Sequence, residues 1–417
     1  MKGKRRWLLA GLLLIVLAIT GCGFLRNAEK IATTPEPVVV GSDAEEASEA
    51  EKAEQKAEAE EQKLISEIRI SNIPEREETR AKGIYISAYV AGTPALVDNL
   101  INEFDRTEAN ALVIDFKDDF GRVVCETESP LVKQLGSTKV YIEDIAGLMQ
   151  KLKDHHIYAI ARIPAFRDAW LAEAQPDWCV KKADGTVFQD RDNHAWVNPY
   201  KEEAWEYLAE IALEAQKLGF DEIQFDYIRF STEKGIGDVV YDEADVRGRD
   251  KKTVITEFVQ YASEKLKNEG AFVAADVFGA VMGGGIDSDT VGQSYGDMAN
   301  QLDYICPMIY PSHYGDGNFG IEHPDTQPYD TILAALQLSR EDLSGYETEG
   351  QDQAAVRPWL QDFTASYLKN HIKYGNDEIR AQIQAVYDAG YEEWLLWSAA
   401  CNYHWEALHD GENSETR

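Results

Sequence analysis

The stretch Gly219-Phe220-Asp221-Glu222-Ile223-Gln224-Phe225-Asp226-Tyr227-Ile228-Arg229-Phe230 decides the fold. It follows a segment of helical periodicity and then alternates, with Ile223, Phe225 and Tyr227 set against Gln224, Asp226 and Ile228. A period of two sends the apolar set to one face and the set that carries a carboxylate to the other. An apolar strand that ends in charge suits a parallel barrel, where functional groups sit at strand C-terminal ends. The plainer alternative is an Asp226 that pairs with Arg229 and only tidies the strand end.

Working outward, the same texture recurs on both sides. Strands are expected over 83–90, 111–117, 157–166, 271–279, 303–310, 355–364 and 394–400. Between them lie helical patterns at 142–154, 201–218, 254–267, 329–340 and 377–389, the last closed by Gly390 as the residue after the C-cap. Thr93-Pro94 reads as an N-cap and first-turn pair opening a further helix. With the central stretch this makes eight strand–helix repeats over about 320 residues, the size of an α/β (β/α)8 TIM barrel with loop insertions. A doubly wound open sheet is the second choice, but it needs no eight repeats.

The chain has 417 residues, with 41 Lys and Arg against 74 Asp and Glu, a formal charge of −33. Such a surface repels nucleic acid and anionic headgroups, so a polyanion-binding role is disfavoured. Residues 1–21 read as a signal segment: Lys2, Lys4, Arg5 and Arg6, then an apolar run from Trp7 to Ile19 too short for a firm membrane span. Ile19-Thr20-Gly21-Cys22 resembles the lipobox of bacterial lipoproteins, which implies cleavage before Cys22, a lipid on its thiol and an extracytoplasmic, membrane-anchored protein. An uncleaved signal anchor is the alternative. Residues 22–80 form a charged, low-complexity spacer, 81–408 the barrel, and 409–417 a polar tail.

Polar residues gather at or just beyond the strand ends: Asp115, Lys117, Arg162, Asp226, Asp276, Tyr310, His313, Asp362 and Trp397. A barrel brings these positions to one mouth. Two carboxylates on adjacent strands, Asp226 and Asp276, are what glycoside hydrolysis requires. One meets the oxocarbenium-like centre and the other protonates the leaving oxygen, at about 5–5.5 Å separation for retention. Asp276 lies among Ala275, Val277 and Phe278, an apolar setting that raises a carboxyl pKa and suits an acid. Trp397, Tyr310 and His313 are expected to line a sugar-binding mouth. No metal-ligand spacing, GxSxG elbow or cofactor loop is found, and the glycines at 283–285 lack a Walker lysine.

The motifs also carry resemblances. The central stretch resembles the strand-four signature of alpha-amylase-type glycosidases, which implies that Asp226 occupies the nucleophile position. Gln224 stands where those enzymes have Arg, Asp276 where they have Glu, and Asp362 matches their strand-seven acid only loosely. Strands six and eight, with Met308, Tyr310 and Trp397, resemble those of chitinase-like barrels, but Ile228 stands where their catalytic Glu would be.

The whole region from Lys82 to about Tyr403 resembles a bacterial family of glycosyl hydrolase domains. It does so through Asp115-Phe116-Lys117-Asp118, Asn198-Pro199-Tyr200, Phe225-Asp226-Tyr227-Ile228-Arg229-Phe230, Ala275-Asp276-Val277-Phe278-Gly279 and the run from Pro307 to Tyr314. The expected substrate-binding set is Asp115, Arg162, Asn198, Tyr200, Arg229, Tyr310, His313, Trp359, Asp362 and Trp397.

Two readings follow: a membrane-tethered glycosidase acting on a poly- or oligosaccharide, and a non-catalytic carbohydrate-binding or scaffold lipoprotein on the same barrel. A solute-binding lipoprotein fits poorly, because such proteins have two open-sheet lobes. Paired strand-end acids favour the enzyme. The anchor is directly testable. Radiolabelled lipid should incorporate into the wild type and not into Cys22→Ser; label on the variant, or none on the wild type, rejects the lipoprotein reading.

Overall fold

The computed structural model describes residues 78–347 and 352–409. The expected signal segment, Cys22, nearly all of the spacer and all but the first residue of the polar tail lie outside the described residues. Eight parallel strands form the barrel: β1 Lys82–Ile86, β2 Ala111–Asp115, β3 Tyr158–Pro164, β4 Glu222–Asp226, β5 Phe272–Phe278, β6 Tyr304–Met308, β7 Trp359–Gln361 and β8 Trp394–Trp397. Each pairs with its neighbours in sequence order, and β8 returns to β1 through Lys82↔Trp394, Gly83↔Leu395 and Ile84↔Leu396. Seven α-helices and a 3-10 turn at Trp405–Leu408 follow the strands in order: α1 Pro94–Phe104, α2 Ile145–Asp154, α3 Glu202–Lys217, α4 Lys251–Lys267, α5 Tyr295–Ala299, α6 Pro328–Ser344 and α7 Asn376–Asp388.

Local chemistry explains where elements begin and end. Asp250 caps α4, its side chain accepting from the Thr253 N–H at 2.8 Å. Glu202 and Glu203 open α3 and Lys217 closes it, each sign matching the helix dipole. Gly390, at φ +80°, ends α7 as expected: its N–H bonds Tyr387 O and the next N–H bonds Val386 O.

Every strand ends before its expected range does, and in two the cause is local. The first stops at Ile86 because Ser87 caps a single helical turn, Ala88–Ala91. The seventh is broken: Ala355–Val356 pairs with β6, Pro358 interrupts, and β7 rejoins β6 through Trp359↔Met308. Proline has no N–H to give a ladder, which explains the break.

The alternation is realised from Glu222 to Asp226; beyond the strand end it reverses, with Tyr227 at the cavity and Ile228 in the core under the helices. Ile223 and Phe225 face the helices, where Phe225 packs edge-on to Phe258 of α4. Glu222, Gln224 and Asp226 share the other face, turned into the barrel with Ile160, Ala274 and Cys306 around them. No helix among the described residues is long and apolar enough to cross a membrane. Cys125, Cys179, Cys306 and Cys401 are all free thiols.

The N-terminal end of the barrel is closed by an ion pair. Arg357 Nη1 donates to both oxygens of Glu222 at 2.8 and 2.9 Å, and its Nε to Glu393 at 2.8 Å. The guanidinium lies 3.8 Å from the Tyr304 ring centroid, and both Arg357 and Glu222 side chains are fully buried. Removing Glu222 leaves the buried Nη1 of Arg357 without its acceptors and only Glu393, on Nε, to offset the charge. Glu222→Gln should therefore cost about 3 kcal/mol of stability, read as a fall in the urea unfolding midpoint. An unchanged midpoint would show that Glu393 alone satisfies Arg357.

Candidate active site

At the opposite end of the barrel, β2, β3, β4 and β5 finish in Asp115, Arg162-Ile163-Pro164, Asp226 and Asp276-Val277-Phe278. Arg162, only 2% exposed, is the hub. Its Nη1 donates to Asp115 Oδ1 at 2.6 Å, and Nη2 to Asp119 Oδ1 at 3.0 Å. Nε and Nη2 grip Asp226 Oδ2 at 3.0 and 2.7 Å. Asp115 also accepts from Tyr85 OH at 2.7 Å. Burial pushes the Asp115 carboxyl up to about 6, with Asp119 adding to the rise and Arg162 opposing it. Asp119 goes the other way: burial acts to raise it, but the charge and hydrogen bond of Arg162 hold it below the usual carboxylate range.

Asp226 is oriented from both sides. Its Oδ2 takes Arg162, and its Oδ1 accepts the Tyr227 N–H at 2.5 Å. Tyr227 adopts φ +51°, a left-handed conformation that costs a bulky residue about 1–2 kcal/mol. That turn brings the N–H back onto the preceding carboxylate and takes the chain out of the barrel. Asp226 remains 8% exposed and opens into a cavity of about 220 Å³.

Asp276 is 2% exposed and lines the same cavity. Its Oδ1 accepts from the Trp359 indole N–H at 2.6 Å. Burial, and then the charge of Asp226, drive its pKa well above the ordinary carboxylate value, against the smaller pull of Trp359 and Arg162. The two acids thus meet opposite surroundings: one fixed on a guanidinium, the other on an indole in an apolar wall.

Of the residues singled out in the sequence, Arg162, Asp226, Arg229, Asp276, Tyr310, His313, Trp359 and Trp397 line this cavity together. Trp397 stacks on Tyr85 at 4.3 Å and stands edge-on to Trp359 at 5.8 Å. His313 stands exposed at the rim, edge-on to Tyr310. Asp115 sits behind Arg162 as its support.

Three expected residues lie elsewhere. Asn198 accepts the Tyr200 N–H within the long loop after β3, and Tyr200 packs between Phe230 and Tyr241. Asp362 is spent on His404, bonding its Nδ1 at 2.5 Å and its N–H at 3.1 Å. The cation on Asp226 is Arg162; Arg229 instead bonds Phe230 O and lies among aromatic rings. Asp119, Tyr227, Phe278 and Met308 also line the cavity and were not singled out as site residues. For Asp119 a signal existed, a further acid directly after the Asp115–Asp118 motif.

The raised pKa of Asp276 has a thermodynamic signature. A carboxyl with an elevated folded pKa holds a proton that the unfolded chain releases. Its contribution to stability therefore falls as pH rises above the ordinary carboxylate pKa of about 4, until the folded pKa is passed. Asp276→Asn removes this term while keeping an acceptor for Trp359. The variant should melt above the wild type at about pH 8, and the gap should close toward about pH 4. A gap that does not change with pH would mean that Asp276 titrates normally.

Residues 83–403 match the DUF4015 family, described as "Putative glycosyl hydrolase domain". Among solved structures, the glycoside hydrolase domain of PgaB (BpsB) from Bordetella bronchiseptica is similar at 14% identity. It covers 80% of this chain and 98% of that one, at a TM-score of 0.55, a likeness that shows the fold alone. A hypothetical protein from Ruminiclostridium thermocellum ATCC 27405 is 35% identical over 46% of this chain and 97% of its own, at a TM-score of 0.43. The spore cortex-lytic enzyme SleL of Bacillus megaterium QM B1551 is 10% identical over 80% of this chain and 74% of its own, at a TM-score of 0.47. No curated protein matches. The family match runs from β1 to the segment beyond β8, and the chain belongs to the DUF4015 family of glycosyl hydrolase domains.

Proposed function

We propose that this protein hydrolyses an O-glycosidic bond in a poly- or oligosaccharide by a two-carboxylate mechanism, outside the membrane and tethered through a lipid on Cys22. The observation that carries the reading is the opposed environments of Asp226 and Asp276 in one cavity. Phe225 pairs with Ala275, so the two acids occupy the next register position on neighbouring strands. Paired strands run about 4.8 Å apart, which suits the short carboxyl separation of a retaining enzyme.

In this reading Asp276 is the acid. Because the Trp359 N–H occupies Oδ1, the proton sits on Oδ2, and it passes to the glycosidic oxygen as the C–O bond breaks. Asp226 meets the developing positive charge at the anomeric carbon and bonds to it. Arg162 holds that carboxylate in place through Nε and Nη2. Asp276, now a carboxylate, takes a proton from the water that attacks the same carbon and releases Asp226. Trp397, half-buried at the cavity wall, offers an aromatic ring for a sugar to pack on.

Asp226→Asn should lower turnover by roughly 10³-fold while the protein still binds substrate. Asp276→Asn should impair natural glycans far more than aryl glycosides, whose leaving groups scarcely need a proton. The screen is a panel of envelope and plant glycans with products read by mass spectrometry. Binding without any cleavage by the wild type would move the assignment to the non-catalytic carbohydrate-binding alternative.

A further inference from the structure

The cavity holds two arginines, and the protein treats them differently. Arg162 is surrounded by Asp115, Asp119 and Asp226, whose charges together with its hydrogen bonds outweigh its burial. Arg229 is also deeply buried, at 8% exposure, yet among the described residues no carboxylate lies within ion-pair distance of it. Its one hydrogen bond runs from Nη1 to Phe230 O at 3.0 Å. The guanidinium is held between the Trp196 and Phe278 rings, 4.8 and 4.5 Å from their centroids, with Tyr227 at 5.6 Å. Ring faces attract a cation and fix its plane, but they accept no N–H in that plane. Burial accordingly leaves the Arg229 pKa below its ordinary value, while that of Arg162 is raised.

Asp226 and Glu233 favour the Arg229 charge only from a distance, and the guanidinium's remaining donors form a planar fork at the wall of the cavity that holds the two acids. We infer that Arg229 is an anion-binding position of the substrate site, and that the sugar bound beside Asp226 and Asp276 carries an acidic substituent, a carboxylate or a sulfate ester. The inference deepens the glycosidase reading and rests on this cavity being the sugar site. A carboxylate matches the fork with two parallel hydrogen bonds; a sulfate ester offers the same pair from a tetrahedral group. Asp119 and Asp226 do not compete, because both are bound to Arg162. The net charge of −33 repels a continuous polyanion at long range, so the acidic residues are expected singly within an otherwise neutral glycan.

The test uses the protein with Asp226→Asn, so that ligand is not consumed, and measures binding by calorimetry. Three probes share one neutral oligosaccharide scaffold: one bears a single glucuronate, one is its carboxyl-reduced counterpart, and one carries a single sulfate ester. At least one charged probe should bind about ten-fold or more tighter than the reduced probe, the scale of a charge-assisted hydrogen bond. Which one does so identifies the substituent. Adding Arg229→Gln should erase the preference, and Arg229→Lys should retain part of it.

Equal affinity for all three probes overturns the inference, and does so on the Asp226→Asn protein alone even where an Arg229 variant fails to fold. A preference that survives Arg229→Gln also overturns it. If the preference holds but the wild type cleaves no glycan, the anion site stands and the hydrolase reading falls. If neutral glycans are cleaved and charged ones bind no better, only the anion site falls.

Discussion

The upper half of the barrel depends on one guanidinium. Arg162 joins the ends of β2 and β4 and the turn after β2, binding two buried carboxylates and the half-exposed Asp119. A lysine could supply the charge but not the geometry, since a single ammonium cannot present separate edges to three planar acceptors. The surplus of negative charge around Arg162 also reaches Asp276, where the charge of Asp226 adds to burial in raising the carboxyl pKa. The same residue therefore fixes the position of one acid and sets the electrical surroundings of the other.

The inward face of β4 carries the contrast between the two ends of the barrel. Glu222 at its start is matched to Arg357 and fully enclosed; Asp226 at its end is matched to Arg162 and opens to the cavity. Gln224 separates them, its amide against the Cys306 sulfur. Barrels divide stability and chemistry between their faces in this way. Lys117 adds to the frame on the outer side: its buried ammonium meets Asp168 at 2.9 Å and Pro164 O at 2.6 Å, tying the loop after β3 to the end of β2.

Much of this was legible in the sequence. The alternation from Glu222 to Asp226 gave the correct inward face, and the eight repeats gave the barrel. Asp226 and Asp276 were expected to share a mouth, and they line one cavity. What sequence could not supply was partner choice. Arg229 is three residues from Asp226, and Arg162 is 64 away, yet the left-handed turn at Tyr227 swings the near arginine aside and the barrel register brings the far one in. Asp362 looked like a strand-end acid because His404, its partner, arrives from beyond β8. Asn198 and Tyr200 belong to a family motif whose work here is to shape a loop. The break at Pro358 was visible as a residue, but its effect on the ladder depends on which neighbour needs an N–H.

Trp359 holds two positions at once. It is the register partner that joins β7 to β6, and its indole is the donor on Asp276. The dry setting that keeps a proton on Asp276, against the opposing pull of the indole N–H, is thus completed only when the seventh strand docks. A folding intermediate with the other strands formed and this seam open would leave Asp276 wetted and acidic, like any surface aspartate. Completion of the fold and the withdrawal of Asp276 from water are then a single event, and a chain that stalls one strand short lacks both the indole contact and the dry wall.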